Sequence, residues 1–232
     1  MQFLRQLILA GLLATLISPA FATNGYLAHG YGIKSRGMAG AGVALPQETL
    51  SAAINPASIA FIGNRVDISA AVFSPRRSYD VSGTATGPFP LASGKVDSGR
   101  KYFILPEMGA SWQLNDHTAF ALTLHGNGGM NTDYSAKDAN NGGQGTFGAG
   151  TAGVDLAQLF LSPTFAYRFD NNASIGVSAI LAYQTFEAKG LASFSGLSNS
   201  SENLSNNGHE DSFGAGINLG FILPVTEQIT LG

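Results

Sequence analysis

From Arg65 onward the chain alternates between apolar and small residues with period two, in bursts of about ten residues. Val66, Ile68, Ala70 and Val72 fall on one face, and Met108, Ala110, Trp112 and Leu114 repeat the pattern. Phe120, Leu122 and Leu124 form a third set. Leu159, Leu161, Phe165, Tyr167 and Phe169 form a fourth. Ile175, Val177, Ala179, Leu181 and Tyr183 are a fifth, and Phe213, Ala215, Ile217, Leu219 and Phe221 a sixth. A seventh run opens at Gln228. Successive side chains of a strand point to opposite faces, so each run reads as one strand with one apolar side. Runs of this length fit strands that cross a bilayer at a tilt.

The connections sort into two kinds. "NDH" at 115–117, "DNN" at 170–172 and "PVTE" at 224–227 are short. Between them lie long polar linkers, at 74–100, 126–155 and 190–211. Short turns at one end and long loops at the other are the pattern of an outer-membrane barrel. A β-sandwich carries comparable connections at both ends. Aromatic residues gather at two levels. Trp112, Phe120, Phe165, Tyr167, Phe169 and Phe221 lie near the short turns, and Tyr102, Phe103, Tyr183, Phe186 and Phe213 near the long linkers. Two such levels predict interfacial girdles.

The opposite face of each run is small: Gly109, Ser111 and Gln113; Ala119, Ala121 and Thr123; Ser162, Thr164 and Ala166; Gly176 and Ser178; Gly214, Gly216, Asn218 and Gly220. Asp67 and Arg168 read as nearly its only charges. An ion pore lines its interior with charge. Small residues leave room for something inside the barrel instead. The expected fold is therefore all-β, a transmembrane antiparallel barrel over 65–232. An odd strand count and an unfinished seventh run predict only the front half of a barrel, since single-chain bacterial barrels have an even number of strands.

"MQFLRQLILAGLLATLISPAFA" carries a positive Arg5, an apolar stretch from Leu7 to Ile17 and a small-x-small end at Ala20 and Ala22. It reads as a signal peptide over 1–22, for a protein exported to the outer membrane of a Gram-negative cell. There are no cysteines, hence no disulfides. The net charge of −3 argues against nucleic acid as a partner. "GAGTAG" at 148–153 matches a dinucleotide fingerprint by letters, but a polar loop precedes it and a strand follows it. His29, His117, His125 and His209 show no metal spacing, and Asp133, Asp138 and Asn140 do not form an EF-hand loop. No catalytic residue, metal site or cofactor is expected, and the chain does not read as an enzyme.

One stretch does not alternate. "AAINPASIAFIGNR", 52–65, is apolar, too short for a membrane helix and interrupted by Pro56, which lacks the donor that a central strand needs. Here a resemblance enters. The stretch "TNGYLAHGYGIKSRGMAGAGVALPQETLSAAINPASIAFIGNR" resembles the amino terminus of the FadL family of outer-membrane transporters for hydrophobic compounds. Asn24-Gly25-Tyr26, the glycine-rich segment holding Gly40 and Gly42, and Asn55-Pro56-Ala57 carry the likeness. "GNGGMNTDY" at 126–134 and "AGVDLAQLFLSPTFAYRF" at 152–169 are similar to the family too.

The resemblance implies a fourteen-stranded barrel, monomeric when full length, with residues 23–64 as a hatch inside it. It implies passive uptake of a fatty acid or an aromatic hydrocarbon through a barrel seated in outer-membrane lipid. Asn55, Pro56, Ala57, Gly40 and Gly42 would belong to the gate. The resemblance also places a lateral exit at the third strand, where Gly126, Gly128 and Gly129 permit a kink. A structural or adhesive barrel, with outer loops that bind a partner, is the alternative. Small inner residues and a plug-like start favour transport over it.

Overall fold

The computed structural model describes residues 29–83, 91, 93–127 and 129–232. The expected signal peptide, the motif Asn24-Gly25-Tyr26 and Gly128 lie outside the described residues. The wall is one antiparallel sheet. Its strands are β1 (Arg65–Phe73), β4 (Phe103–Gln113), β5 (Thr118–Asn127), β7 (Ala152–Arg168), β8 (Ser174–Lys189), β9 (Glu210–Pro224) and β10 (Thr230–Leu231), each paired with the next. Two short strands, β2 (Ser78–Val81) and β3 (Gly94–Asp97), make a separate hairpin, and β6 (Asn131–Tyr134) pairs with β7. No helix among the described residues is long and apolar enough to cross a membrane, which says nothing of a barrel that crosses with strands.

All seven alternating runs are wall strands. Their ends at the long connections are longer than the runs. β4 starts at Phe103, β7 at Ala152, and β8 continues to Lys189. In these extensions Glu107, Gln158, Gln184 and Glu187 break the apolar periodicity while the backbone ladder continues. The long linkers at 74–100 and 126–155 are correspondingly not plain loops, since they hold β2, β3 and β6.

The outer face is apolar and open. Ile68 is 78% exposed, Ile104 74%, Phe213 81% and Ile217 75%. Such a surface suits lipid rather than water. Alternation sends Trp112, Phe120, Phe165, Tyr167, Tyr183, Phe213 and Phe221 to this side, with Trp112 stacked on Phe120 and the Tyr183 ring tilted against Phe213. It sends Phe103 and Phe186 to the inner side, because they share the parity of buried Glu107 and Ser178. The expected girdle at the long connections therefore loses those two rings.

Residues 29–64 lie against the inner face. They form α1 (Ile33–Gly37) and two 3-10 helices, η1 (Thr49–Ala53) and η2 (Pro56–Phe61). The start of η2 is set locally. Asn55 is extended, its Oδ1 accepts from Ala57 N–H at 3.1 Å, and Pro56 supplies a fixed φ at the first helical position. Glu48 and Ser51 form a reciprocal cap on η1. Ala52, Ile59 and Ala60 then pack on Ala119, Ala121 and Ala166, with Phe61 at the edge. The stretch that failed to alternate is thus the packed core between this segment and the wall.

Candidate functional site

Three contacts tie the amino-terminal segment to the wall. The first centres on Asn55, 3% exposed. Its amide nitrogen donates to Val43 C=O at 2.9 Å and to Phe221 C=O on β9 at 2.8 Å. Ser174 on β8 donates through Oγ to Ala57 C=O at 3.2 Å. The wall glycines have a specific reason here. A β-carbon at Gly220 would strike Asn55 Oδ1 and Pro56, and one at Gly176 would strike the backbone of Pro56 and Ala57. Gly109 is closed in the same way by Thr49. The small inner face is a seat cut to the backbone it receives.

The second contact centres on Glu107, 1% exposed. Its carboxylate accepts from Arg36 Nη2 at 2.5 Å, from Gly32 N–H at 3.1 Å and from Ser69 Oγ at 3.2 Å. This corrects the expected charge inventory of the inner face, which lacked Glu107. The apolar alternation of this strand starts at Met108, one residue after Glu107. Asp67 is also in use, accepting from Thr49 N–H at 2.8 Å. Arg168 lies over the Phe61 ring, 5.6 Å from its centre.

The third feature is a pocket of about 200 Å³ between segment and wall. Tyr31, Ala52 and Ala53 line it from one side, and His125, Phe160 and Ile180 from the other. The His125 ring sits 4.4 Å from Tyr31 and 5.6 Å from Phe160, centre to centre. Its Nδ1 is enclosed without a hydrogen-bond partner. Burial, then the Glu107 charge, raises the Tyr31 phenol above its usual pKa against a smaller effect of Arg36, so the ring stays neutral.

The wall breaks just beyond this pocket. Asn127 pairs with Gln158, whereas Asn131 pairs with Asp155. The strand spends four steps where its partner spends three, a bulge of one residue that reverses which side chains face inward. Met130 C=O accepts from Leu156 N–H at 3.0 Å, and Asn131 Nδ2 donates to Leu156 C=O at 2.9 Å. Gly129 lies in the break, where a β-carbon would collide with Leu156 C=O. Gly126 lies before it, in regular pairing with Leu159, and a β-carbon there meets only ordinary contacts.

Of the expected gate residues, Asn55, Pro56 and Ala57 come together. Gly42 is next to the Val43 carbonyl that Asn55 holds, and its φ of 135° needs glycine. Gly40, with φ 85°, serves a separate turn against His29 and Gly30. Sequence reasoning missed Glu107, His125 and Tyr31. His125 follows the alternation of Ala119, Ala121 and Thr123, which was the available signal.

An antiparallel wall with a lipid-facing exterior, filled by its own amino-terminal segment, defines a plugged outer-membrane-type β-barrel. The family model described as "Outer membrane protein transport protein (OMPP1/FadL/TodX)" matches residues 14–232, and the chain belongs to that family. The solved toluene transporter TodX of P. putida is 19% identical, covers 88% of this chain and 55% of its own, and superposes with a TM-score of 0.65. The CymD monoaromatic hydrocarbon channel is 15% identical over 89% of this chain and 51% of its own, with a TM-score of 0.56. A Pseudomonas aeruginosa FadL homologue is 19% identical over 82% and 47%, with a TM-score of 0.50. The likeness is one of fold, and the chain spans about half the length of these structures. Comparison with curated proteins returned no match.

Proposed function

We propose that this chain supplies wall and hatch of an outer-membrane channel for passive uptake of hydrophobic molecules, long-chain fatty acids first and aromatic hydrocarbons second. Residues 1–22 direct export, 23–64 act as the hatch and 65–232 belong to the barrel, which works as a monomer in outer-membrane lipid. Cargo is caught among the outer loops, rests beside the hatch and leaves sideways through the wall around Gly126, Gly128 and Gly129. Asn55, Pro56, Ala57, Gly40 and Gly42 shape the moving plug.

The observation that carries this reading is the pocket between Tyr31, Ala53, His125, Phe160 and Ile180. It is mostly apolar, lies between hatch and wall, and its His125 is two residues from the end of β5 at the break. An adhesive barrel has no use for such a recess. The names of the solved relatives, a toluene transporter and a hydrocarbon channel, agree with apolar cargo. Ala53→Trp in the full-length protein fills the pocket from the hatch side. Uptake of radiolabelled oleate and of toluene into cells should fall several-fold while surface exposure stays normal. Unchanged uptake of both compounds would sink the proposal.

A further inference from the structure

The pocket between Tyr31 and Phe160 carries polar groups that neither the fold nor the uptake of purely apolar cargo uses. Ser162 on β7 and Asn218 on β9 also line it. Both have inner parity, since Ser162 pairs with buried Thr123 and Asn218 with buried Ser178. Among the described residues, neither the Ser162 hydroxyl nor the Asn218 amide makes a side-chain hydrogen bond, and neither is enclosed by protein. Ser178, at the same level, is already engaged, its Oγ 2.7 Å from Thr164 Oγ1. The enclosed His125 Nδ1 is out of a ligand's reach. One hydroxyl and one amide therefore stand open to whatever enters the pocket.

The wall is interrupted here for a reason in the sequence. Pro163 has no N–H to give, and β7 and β8 make no pairing at Ser162 or Pro163, although Leu161 meets Leu181 and Thr164 meets Ser178 on either side. The pocket lies at this gap in the ladder, with Ser162 and Ile180 in its lining. No Lys, Arg, Asp or Glu lines it. After burial, the Glu107 charge raises the Tyr31 pKa and Arg36 lowers it by less, so the field on that side disfavours an anion. A carboxylate brought in would lose its water without meeting a cation. A molecule with no polar atom would leave the Ser162 and Asn218 groups desolvated and unpaired. Size sets the third limit. An apolar cavity of about 150 Å³ takes up benzene, and the volume here, about 200 Å³, accommodates one ring with a small substituent. A fatty acid fits only its alkyl end into such a space.

We propose that the pocket selects a neutral, ring-sized molecule with one hydroxyl group, the class of the alkylphenols, and that Ser162 and Asn218 set this specificity. The ligand hydroxyl donates to one of the two side chains and accepts from the other, while its ring lies against Phe160 and Ile180. This deepens the transport reading and rests on it for the ligand's route, but not for its binding.

The test is calorimetric titration of the full-length protein at neutral pH with p-cresol, toluene and p-toluate. Parent and variants are compared in the same non-ionic detergent, so partition of each ligand into micelles cancels. The ratio of p-cresol to toluene affinity should fall about ten-fold in Ser162→Ala with Asn218→Leu, and a few-fold in each single variant, while toluene binding is kept. The p-toluate anion should bind far more weakly than p-cresol. Ala53→Trp should abolish binding of both neutral ligands, which locates them in the pocket. Heat-modifiable mobility checks that each variant is folded. An affinity ratio that is the same in the parent and in every folded variant overturns the proposal. So does p-toluate bound as tightly as p-cresol, or p-cresol binding that survives Ala53→Trp. Uptake into cells separates the two readings. A protein that keeps the hydroxyl preference yet passes neither toluene nor oleate retires the transport reading and leaves this specificity standing. Uptake of both compounds with no hydroxyl preference retires the specificity and leaves transport standing.

Discussion

Residues 29–47 reach the wall through one carboxylate, Glu107, and through the Tyr31 ring against His125, whereas residues 48–64 are pressed onto it at Gly109, Gly176 and Gly220. The first half leaves most of its side chains from Ile33 to Gln47 open or half-open, while Thr49, Leu50, Ala52 and Ala57 are fully buried. The two attachments obey different physics. An ion pair with a half-open partner is weakened as soon as water competes for it. Close packing against backbone cannot loosen without opening a void. If the segment moves as the proposed hatch, it should release its first half and keep its second.

The largest effect is expected from Gly220→Val. The added side chain displaces Asn55 and Pro56, and overpacking of this kind costs about 3 kcal/mol. Thermal unfolding of the full-length protein, read by its heat-modifiable mobility, should shift clearly downward. A normal transition would break the idea that the glycines are seats.

Next comes Glu107→Gln, which leaves Arg36 facing a neutral group. Arg36 keeps 22% of its side-chain surface exposed, so water offsets part of the loss and about 2 kcal/mol remains. Limited proteolysis should cut faster within residues 33–47 and not within 48–64. The paired variant Arg36→Met with Glu107→Met should restore much of the protection. Cleavage that rises equally in both halves would erase the distinction between them.

Asn55→Ala removes two donated bonds and one accepted bond that join the second half to Val43, Phe221 and its own helix start. A cost of about 1.5 kcal/mol is expected, with the barrel intact and fatty-acid uptake changed several-fold. Uptake identical to the parent would remove Asn55 from the proposed gate. The smallest change is Ser174→Ala, which loses one neutral hydrogen bond to Ala57 C=O at a cost of about 0.5 kcal/mol. Hydrogen exchange at η2 should register it while unfolding does not.

Much of the wall was legible because strand alternation is local: Val66 to Val72 or Ile175 to Tyr183 declare their face without reference to anything distant. The inner glycines at 176 and 220 were legible as small, and even as a sign of something inside, but not as the partners of Pro56 and Asn55. Glu107 was lost because polar residues ended the periodic run while backbone pairing with Ser69 carried on. Phe103 and Phe186 were placed by their neighbourhood in the chain. Parity in the sheet put them on the other side.

The sequence by itself determined where the alternating centres of the wall strands would lie, which face of them would be apolar, and that residues 52–64 would be neither strand nor membrane helix. Those properties follow from side-chain periodicity and from the backbone limits of proline. Only the tertiary structure decided what Asn55 and Arg36 hold. Arg36 meets Glu107 across 71 positions, and Asn55 meets Phe221 across 166. No local pattern encodes such distances. They are set when the ladder fixes the height of each wall residue and the segment inside settles where side chains are absent.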